Sequence, residues 1–300
     1  MAPHLGEAWG GFVQENVVSR SVRDAALCLD QIDMLTPGEP YAAPHKPKPW
    51  VEHLTPPSKR LKVGFTTGAL FGDHTHPECA KAVEEAVALL RELGHEVEEA
   101  TPTFNRDELV QAYFYTVAAG TARFVEDTSA FAGRRPRHQD YEAATWLLAQ
   151  IGWKCDAPTL LKAQQQMQRA SRSVASFFER YDLFVSPVHA EPPIKIGELT
   201  PSKMEQLQLS VVRALNTKGL LDKVLSTLGT NALSRTPNTQ LFNQTGQPAM
   251  SVPLYWTPEG LPLGVHVVAP FGGEGLLFEV ATELEQARPW ADRRPPLLQG

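Results

Sequence analysis

Three consecutive hydrogen-bonding side chains, Asn243, Gln244 and Thr245, stand directly before a glycine and an apolar run. Amide and hydroxyl groups can both donate and accept hydrogen bonds, so they can hold a polar, uncharged ligand. Ligands of open α/β sheets bind in the loops at strand ends. The same residue types are common in turns and caps. Both a binding role and a purely structural role are therefore open for each side chain.

Catalytic chemistry has candidate groups but no recognisable arrangement. Six serines supply hydroxyls: Ser19, Ser21, Ser171, Ser173, Ser186 and Ser251. A serine nucleophile needs a base within hydrogen-bond reach and donors for an oxyanion. The sequence contains no Gly-x-Ser-x-Gly elbow, Ser-x-x-Lys pair, Gly-rich phosphate loop or His-Glu-x-x-His motif. No catalytic residue is assigned, although an enzyme using His189 or His266 with a local serine is one alternative.

Two further clusters are better explained without a ligand. His74 and His76 flank Thr75 and could chelate a metal, but no cysteine or well-spaced acid completes a ligand set. We predict neither a metal site nor a cofactor. The basic stretch Arg134–Arg137 holds three arginines in four residues and could bind an anion. Charged loops of this kind are usually solvated, which is the interpretation we favour.

Composition restricts the class of protein and its partners. The 300 residues carry 28 Lys and Arg against 34 Asp and Glu, a net charge of −6, with no long basic run. Nucleic acid is therefore not an expected partner. The cysteines Cys28, Cys79 and Cys155 are odd in number and widely spaced, which fits a reducing cytoplasm. No apolar run is long enough for a membrane span and no signal-peptide pattern opens the chain. We expect a cytoplasmic protein without a membrane partner.

A strand, a helix and a second strand follow one another between Leu61 and Ala100. Leu61–Phe65 has a strand pattern, Pro77 opens a helix that ends at Gly94, and Glu96–Ala100 follows as a strand. A βαβ unit of this length places its two strands parallel with a right-handed crossover. The sheet is therefore predicted to be at least partly parallel.

Other segments predict the elements that pack on this sheet. Pro158 opens a helix in which Leu160, Met167, Val174 and Tyr181 recur every seven residues. Gly246 supplies a positive φ that ends a helical turn, and Pro248 then forces the chain into an extended conformation. Ser21 stands three residues before Asp24 and predicts the capped start of a helix over 21–32. The other predicted helices are 107–131, 141–153, 202–228 and 275–287. Strands are predicted at 181–188, 249–254 and 263–269, and a proline-rich extended surface connection over 36–58.

Several of these segments resemble the amidase signature family. The resemblance covers the whole chain in the family's order. It is carried by Trp9-Gly10-Gly11, Arg20–Ala26, Tyr181–Pro187, Phe242–Pro253, Gly260–Ala269, Leu276-Leu277, Leu284-Glu285 and Pro289-Trp290. It implies a mixed-sheet α/β/α sandwich and hydrolysis of a carboxamide by a serine nucleophile, a second serine in a cis peptide bond and a lysine.

The resemblance also implies that the three catalytic residues lie ahead of the first segment that matches. We therefore expect an N-terminally incomplete amidase domain: 1–35 ends the signature region, 36–60 is the proline-rich connection, and 61–300 supplies the C-terminal sheet and helices. Such a chain should be nearly inactive alone, because losing a nucleophile or its base costs roughly a millionfold in rate.

Two hypotheses about function follow. The first is the C-terminal part of an amidase that acts on a small-molecule amide, with the N-terminal part as a partner and a homodimer as its candidate assembly. The second is a non-catalytic binding or regulatory subunit that retains the amidase pocket. In both, position and chemistry make Trp9, Phe242, Asn243 and Gln244 the candidate substrate-binding residues.

Overall fold

The computed structural model describes residues 8–14, 16–34, 38, 44, 46–198, 200, 233–234 and 236–294. The predicted helix at 202–228 lies outside these residues. Seven helices are described: α1 Val22–Ile32, α2 Pro77–Glu92, α3 Arg106–Phe131, α4 Ala143–Gly152, α5 Ala157–Phe177, α6 Thr239–Thr245 and α7 Glu274–Ala287. The described strands are β1 Lys62–Phe65, β2 Glu96–Glu99, β3 Leu183–Pro187, β4 Ala249–Trp256 and β5 Pro262–Val268.

The five strands form one mixed sheet in the order β2-β1-β3-β5-β4. β1 is parallel to both β2 and β3, as the βαβ pattern predicts for the first pair. β5 is antiparallel to β3 and to β4. The register between β4 and β5 shifts between Val252 and Tyr255. Pro253 lies at this irregularity, where a residue without an N–H group is tolerated.

Helices cover both faces of the sheet, because alternate residues of the central strands are apolar on each side. Phe184 and Val268 face a core shared with α3, α4, α5 and α6. Val185 and Val267 face a second core shared with α2 and α7. The predicted mixed-sheet α/β/α fold is therefore confirmed. No helix in the described part of the chain is long and apolar enough to cross a membrane.

The seven-residue apolar stripe of α5 lies where its periodicity places it. Met167, Val174 and Tyr181 are buried, and Phe177 stacks on Tyr181 and meets Phe184 of β3 edge to face. The period of seven residues equals nearly two helical turns, so one side of α5 is buried from Ala163 to Phe177, whereas Leu160 near its start is only half-buried.

The described end of the proline-rich connection departs from the extended surface course expected of it. Residues Trp50–His53 form a short 3₁₀ turn, and Trp50 is buried beside Phe278 of α7. The carboxylate of Asp30 in α1 accepts hydrogen bonds from the backbone N–H groups of Trp50 and Val51. These bonds satisfy donors that a buried turn would otherwise leave unpaired.

Candidate functional site

The N-terminal segment, residues 8–14, lies against one stripe of α3. Trp9 packs on Gly120 so closely that a Cβ atom on this glycine would lie 2.8 Å from the indole Nε1 atom and nearer still to Cδ1. Gly10 approaches Thr116, and the ring of Phe12 stacks on Tyr113 with centroids 5.9 Å apart. Positions 113, 116 and 120 share one helical face, so α3 sets the path of this segment.

Asn243 of α6 holds the N-terminal segment from the other side. Its Nδ2 atom donates a hydrogen bond of 2.9 Å to the backbone oxygen of Phe12. Asn243 is exposed, and Trp9 keeps 38% of its surface accessible. The structure therefore joins these two predicted site residues through one short segment of backbone.

Phe242 and Gln244, the other two candidates, point into the protein from the same helix. Phe242 is 2% exposed and packs between Phe184 and His266, with ring centroids 5.8 Å and 5.5 Å away. Both polar atoms of the Gln244 carboxamide are buried and have no hydrogen-bond partner among the described residues. Because buried amides in native proteins are almost always paired, this side chain is the least satisfied polar group of the cluster.

The turn that follows α6 has the predicted geometry. Gly246 adopts a φ of 86° and its N–H group donates to the Phe242 oxygen at 2.8 Å, which ends the helix. A left-handed conformation costs glycine no steric penalty. β4 then begins at Ala249, so the polar run lies in α6 immediately before the strand.

Ser186 and His266 lie side by side beneath Phe242. Their strands pair in register at these residues, and Ser186 Oγ lies 3.4 Å from His266 Nδ1. Both side chains are buried, with accessible fractions of 0% and 4%. Burial lowers the pKa of His266 to about 4, and the nearby charge of His189 acts in the same direction. His266 is therefore neutral at pH 7, but both side chains are buried and Phe242 packs against the imidazole.

The remaining candidate serines have structural partners, apart from Ser251. Ser21 Oγ accepts a hydrogen bond from the Asp24 N–H group and caps α1, as its position before this helix predicts. Ser19, Ser171 and Ser173 donate to backbone oxygens. Ser251 is exposed on the edge strand β4.

The two clusters interpreted without a ligand have local partners. His76 Nδ1 accepts a hydrogen bond from the Glu78 N–H group at the start of α2, and His74 Nε2 lies 2.9 Å from Glu191. Arg134 hydrogen-bonds Asp140 at 2.6 and 2.8 Å and lowers the pKa of that carboxyl to about 2. Within the described residues, no group of three or more His, Cys, Asp or Glu side chains could hold a metal ion.

Two residues near the site, Gly120 and Asn238, have structural roles that were not predicted from the sequence. Gly120 interrupts the helical run of α3, and a glycine within a helical pattern often marks a close approach. Asn238, fully buried before α6, accepts from the Leu70 N–H group at 2.8 Å and donates to the Pro187 oxygen at 2.7 Å. No local sequence signal identifies its partners, because both are distant along the chain.

A mixed five-stranded sheet with helices packed on both faces defines an α/β/α sandwich. The chain belongs to the Amidase family, whose model matches residues 8–278. This confirms the family resemblance.

Two relatives and one solved structure that this chain matches are longer than the chain. It is 31% identical over 291 residues to the 6-aminohexanoate-cyclic-dimer hydrolases of Pseudomonas sp. (strain NK87) and Paenarthrobacter ureafaciens, an alignment covering 96% of this chain and 56% of each relative. The solved structure of 6-aminohexanoate cyclic dimer hydrolase superposes with a TM-score of 0.81 and 30% identity, covering 93% of this chain and 56% of that structure. The chain therefore spans about half the length of these relatives.

Proposed function

We propose that this chain forms the C-terminal part of an amidase that hydrolyses the C–N bond of a small carboxamide, with the nucleophile and its base supplied by sequence outside the matched region. The observation that carries the proposal is the state of the candidate hydroxyls. Ser186 is buried beneath Phe242, and four others are engaged in caps or backbone hydrogen bonds. The sixth, Ser251, is exposed on β4, and no base is bonded to its hydroxyl among the described residues. A nucleophile must instead reach both its base and the substrate carbonyl.

The two edges of the sheet support an arrangement in which additional chain packs beside β4. β2, at one edge, carries Glu96, Glu98 and Glu99 among its four residues, and charged residues discourage further strand pairing. β4, at the other edge, has no charged residue from Ala249 to Trp256. Its Pro253 and the register shift beside it discourage pairing there, which leaves the stretch before Pro253 as the open part of the edge. Ala249 and Ser251 are exposed there. We propose that the N-terminal part of the amidase covers this edge.

Gln244 supports a polar role for the same region. Its buried carboxamide offers one donor group and one acceptor with no partner in the described chain. We propose that this amide is satisfied in the complete enzyme, either by the N-terminal part or by the substrate amide through a small shift of α6. Asn243, Phe242 and Trp9 then form the surrounding wall. A homodimer is the assembly that we propose for the enzyme.

Hydrolysis by two forms of the protein tests this function. The first form is the chain as it stands, and the second is the chain extended at its N-terminus by the upstream coding sequence. Both are assayed with 6-aminohexanoate cyclic dimer, an aliphatic amide and an aryl amide, with release of the amine as the readout. We expect hydrolysis only by the extended form, and loss of it when the serine nucleophile of the added segment is replaced by alanine.

Equal activity of the two forms would contradict the proposal. A local centre built on Ser186 and His266 would then gain support, and activity lost in a His266→Ala variant of the short chain would identify it. An extended form that binds amides without hydrolysing them would support the non-catalytic binding subunit instead. Sedimentation velocity of the extended form measures whether it is the proposed dimer.

A further inference from the structure

We propose that Gly120 is a positioning residue for Trp9, and that the exposed part of Trp9 is the wall on which the alkyl part of an amide substrate packs. This inference rests on the proposed amidase function, because it concerns the substrate of that site. It adds a residue from α3 and a chemical class of substrate group to the candidate site.

The contact between Gly120 and Trp9 is specific to glycine. Any other residue would bring a Cβ atom to within 2.8 Å of Trp9 Nε1 and closer to Cδ1. Distances of this size do not occur between non-bonded heavy atoms of these types, so the ring would have to move. The Cδ1 and Nε1 atoms of the indole can thus lie this close to the backbone of α3 only while position 120 has no side chain.

The backbone of the N-terminal segment is bent to place this ring. Trp9 has φ 50° and ψ 41°, and it is the only non-glycine residue with positive φ among the described residues. Gly10 and Gly11 follow with φ of 62° and 89°. A bulky residue in the left-handed region persists only where surrounding contacts fix it. The contacts that fix it here include the packing of its ring on Gly120.

Contacts from α3 and α6 hold the N-terminal segment, and with it the Trp9 ring, in place. Phe12 stacks on Tyr113, about two helical turns before Gly120 on α3. Asn243 of α6 donates a hydrogen bond to the Phe12 backbone oxygen. The backbone of the segment is held at Phe12, and the Trp9 indole contacts Gly120, yet Trp9 retains 38% exposure. Part of Trp9 is therefore fixed against α3 while part of it stays accessible to solvent.

A single exposed aromatic side chain is ordinary on a protein surface. Trp9 differs because three features fix its position: its left-handed backbone, the two glycines that follow it, and the absence of a side chain at position 120 of α3. A rigid apolar ring of this kind binds alkyl groups through burial of apolar area. Each fully buried methylene is worth up to about fourfold in affinity. The favoured substrates are accordingly amides with a methylene chain.

Nuclear magnetic resonance of the chain without any ligand tests the positioning. The indole N–H signal of Trp9 is assigned by its absence in Trp9→Phe. We expect Gly120→Ala to shift this signal and to increase quenching of Trp9 by acrylamide. Gly68→Ala is the matched control, since its added Cβ would meet Thr66 Oγ1 at an ordinary 3.4 Å. An unchanged Trp9 signal in Gly120→Ala would refute the positioning role.

A double variant distinguishes displacement of the Trp9 ring from a general loss of structure in Gly120→Ala. If the alanine acts only by displacing the indole, Gly120→Ala should lower Tm in the wild-type background and leave it unchanged or higher in a Trp9→Ala background, because alanine favours a helix over glycine. An equal loss of Tm in both backgrounds would place the effect elsewhere and overturn the proposal.

Titration with acetamide, butanamide and hexanamide tests the wall. The affinity of the wild-type protein, followed at the Trp9 signal, should rise with each added methylene. In Gly120→Ala, an added methylene should leave the affinity nearly unchanged. No response of Trp9 to hexanamide up to its solubility limit would overturn the wall. If hexanamide leaves the Trp9 signal unchanged while the extended form hydrolyses amides, only the substrate wall is refuted. If Trp9 responds to hexanamide while the extended form does not hydrolyse amides, only the proposed catalysis is refuted.

Discussion

The buried His266 should make the stability of this protein depend on pH in a way that one substitution removes. Its folded-state pKa of about 4 lies below its ordinary value of 6.5 because burial disfavours the charged imidazolium. As pH falls below about 6.5, the unfolded chain binds a proton here that the folded chain does not. Stability is therefore lost between about pH 6.5 and pH 4, and it is fully retained above this window.

The size of the effect follows from the two pKa values. Linkage gives a loss of about 2 kcal/mol at pH 5 and about 3 kcal/mol at pH 4, relative to pH 7. Urea unfolding at several pH values measures it. His266→Gln should remove this part of the pH dependence, whatever its stability at pH 7. Other titrating groups act equally in both proteins, so the difference between their pH profiles isolates the histidine.

Ser186→Ala is the control for this experiment. It alters the same buried contact, 3.4 Å from His266 Nδ1, but leaves the histidine to titrate. The variant should therefore keep the wild-type pH profile. Parallel pH profiles for wild type and His266→Gln would refute the reasoning, because they would mean that His266 has the same pKa in the folded and unfolded chains.

Two further substitutions test the packing around the site. Gly152→Ala should lower the urea midpoint, since its Cβ would lie 2.6 Å from the carbonyl carbon of Ala118 and force α4 away from α3, at a cost of about 1–3 kcal/mol; an unchanged midpoint would contradict this contact. Asn238→Ala should cost about 2–4 kcal/mol in the same assay, because it leaves the buried Leu70 N–H group without this acceptor and removes the 2.7 Å hydrogen bond to the Pro187 oxygen. A loss below about 0.5 kcal/mol would mean that water replaces the side chain.

Local patterns predicted those parts of the fold that local physics determines. The seven-residue stripe of α5, the capping serine at Ser21 and the left-handed Gly246 all depend on residues within a few positions of one another. The parallel pair β1 and β2 follows from a short crossover through α2. In each case the interacting groups lie close in sequence, so their spacing carries the information.

The antiparallel placement of β5 beside β3 could not be inferred in this way. Strands with apolar residues on both faces carry no signal for their neighbour or direction. The same limit applies to the site. Asn243 was recognisable as a polar residue before a strand, but its bond to Phe12 crosses 231 positions. Gly120 was visible only as a glycine within a helical run, because the ring that requires it lies far upstream.

The position of β3 at the centre of the sheet has a consequence for how the chain folds. β1, α2 and β2 can form together from nearby residues, and β4 and β5 can pair through a short connection. β3 must bond to both groups, and each partner strand is remote from it in sequence. Closing those long loops is entropically costly and slows folding. The joining of two preformed halves by β3 is therefore the expected late step, during which their unpaired edges are exposed to association with other chains.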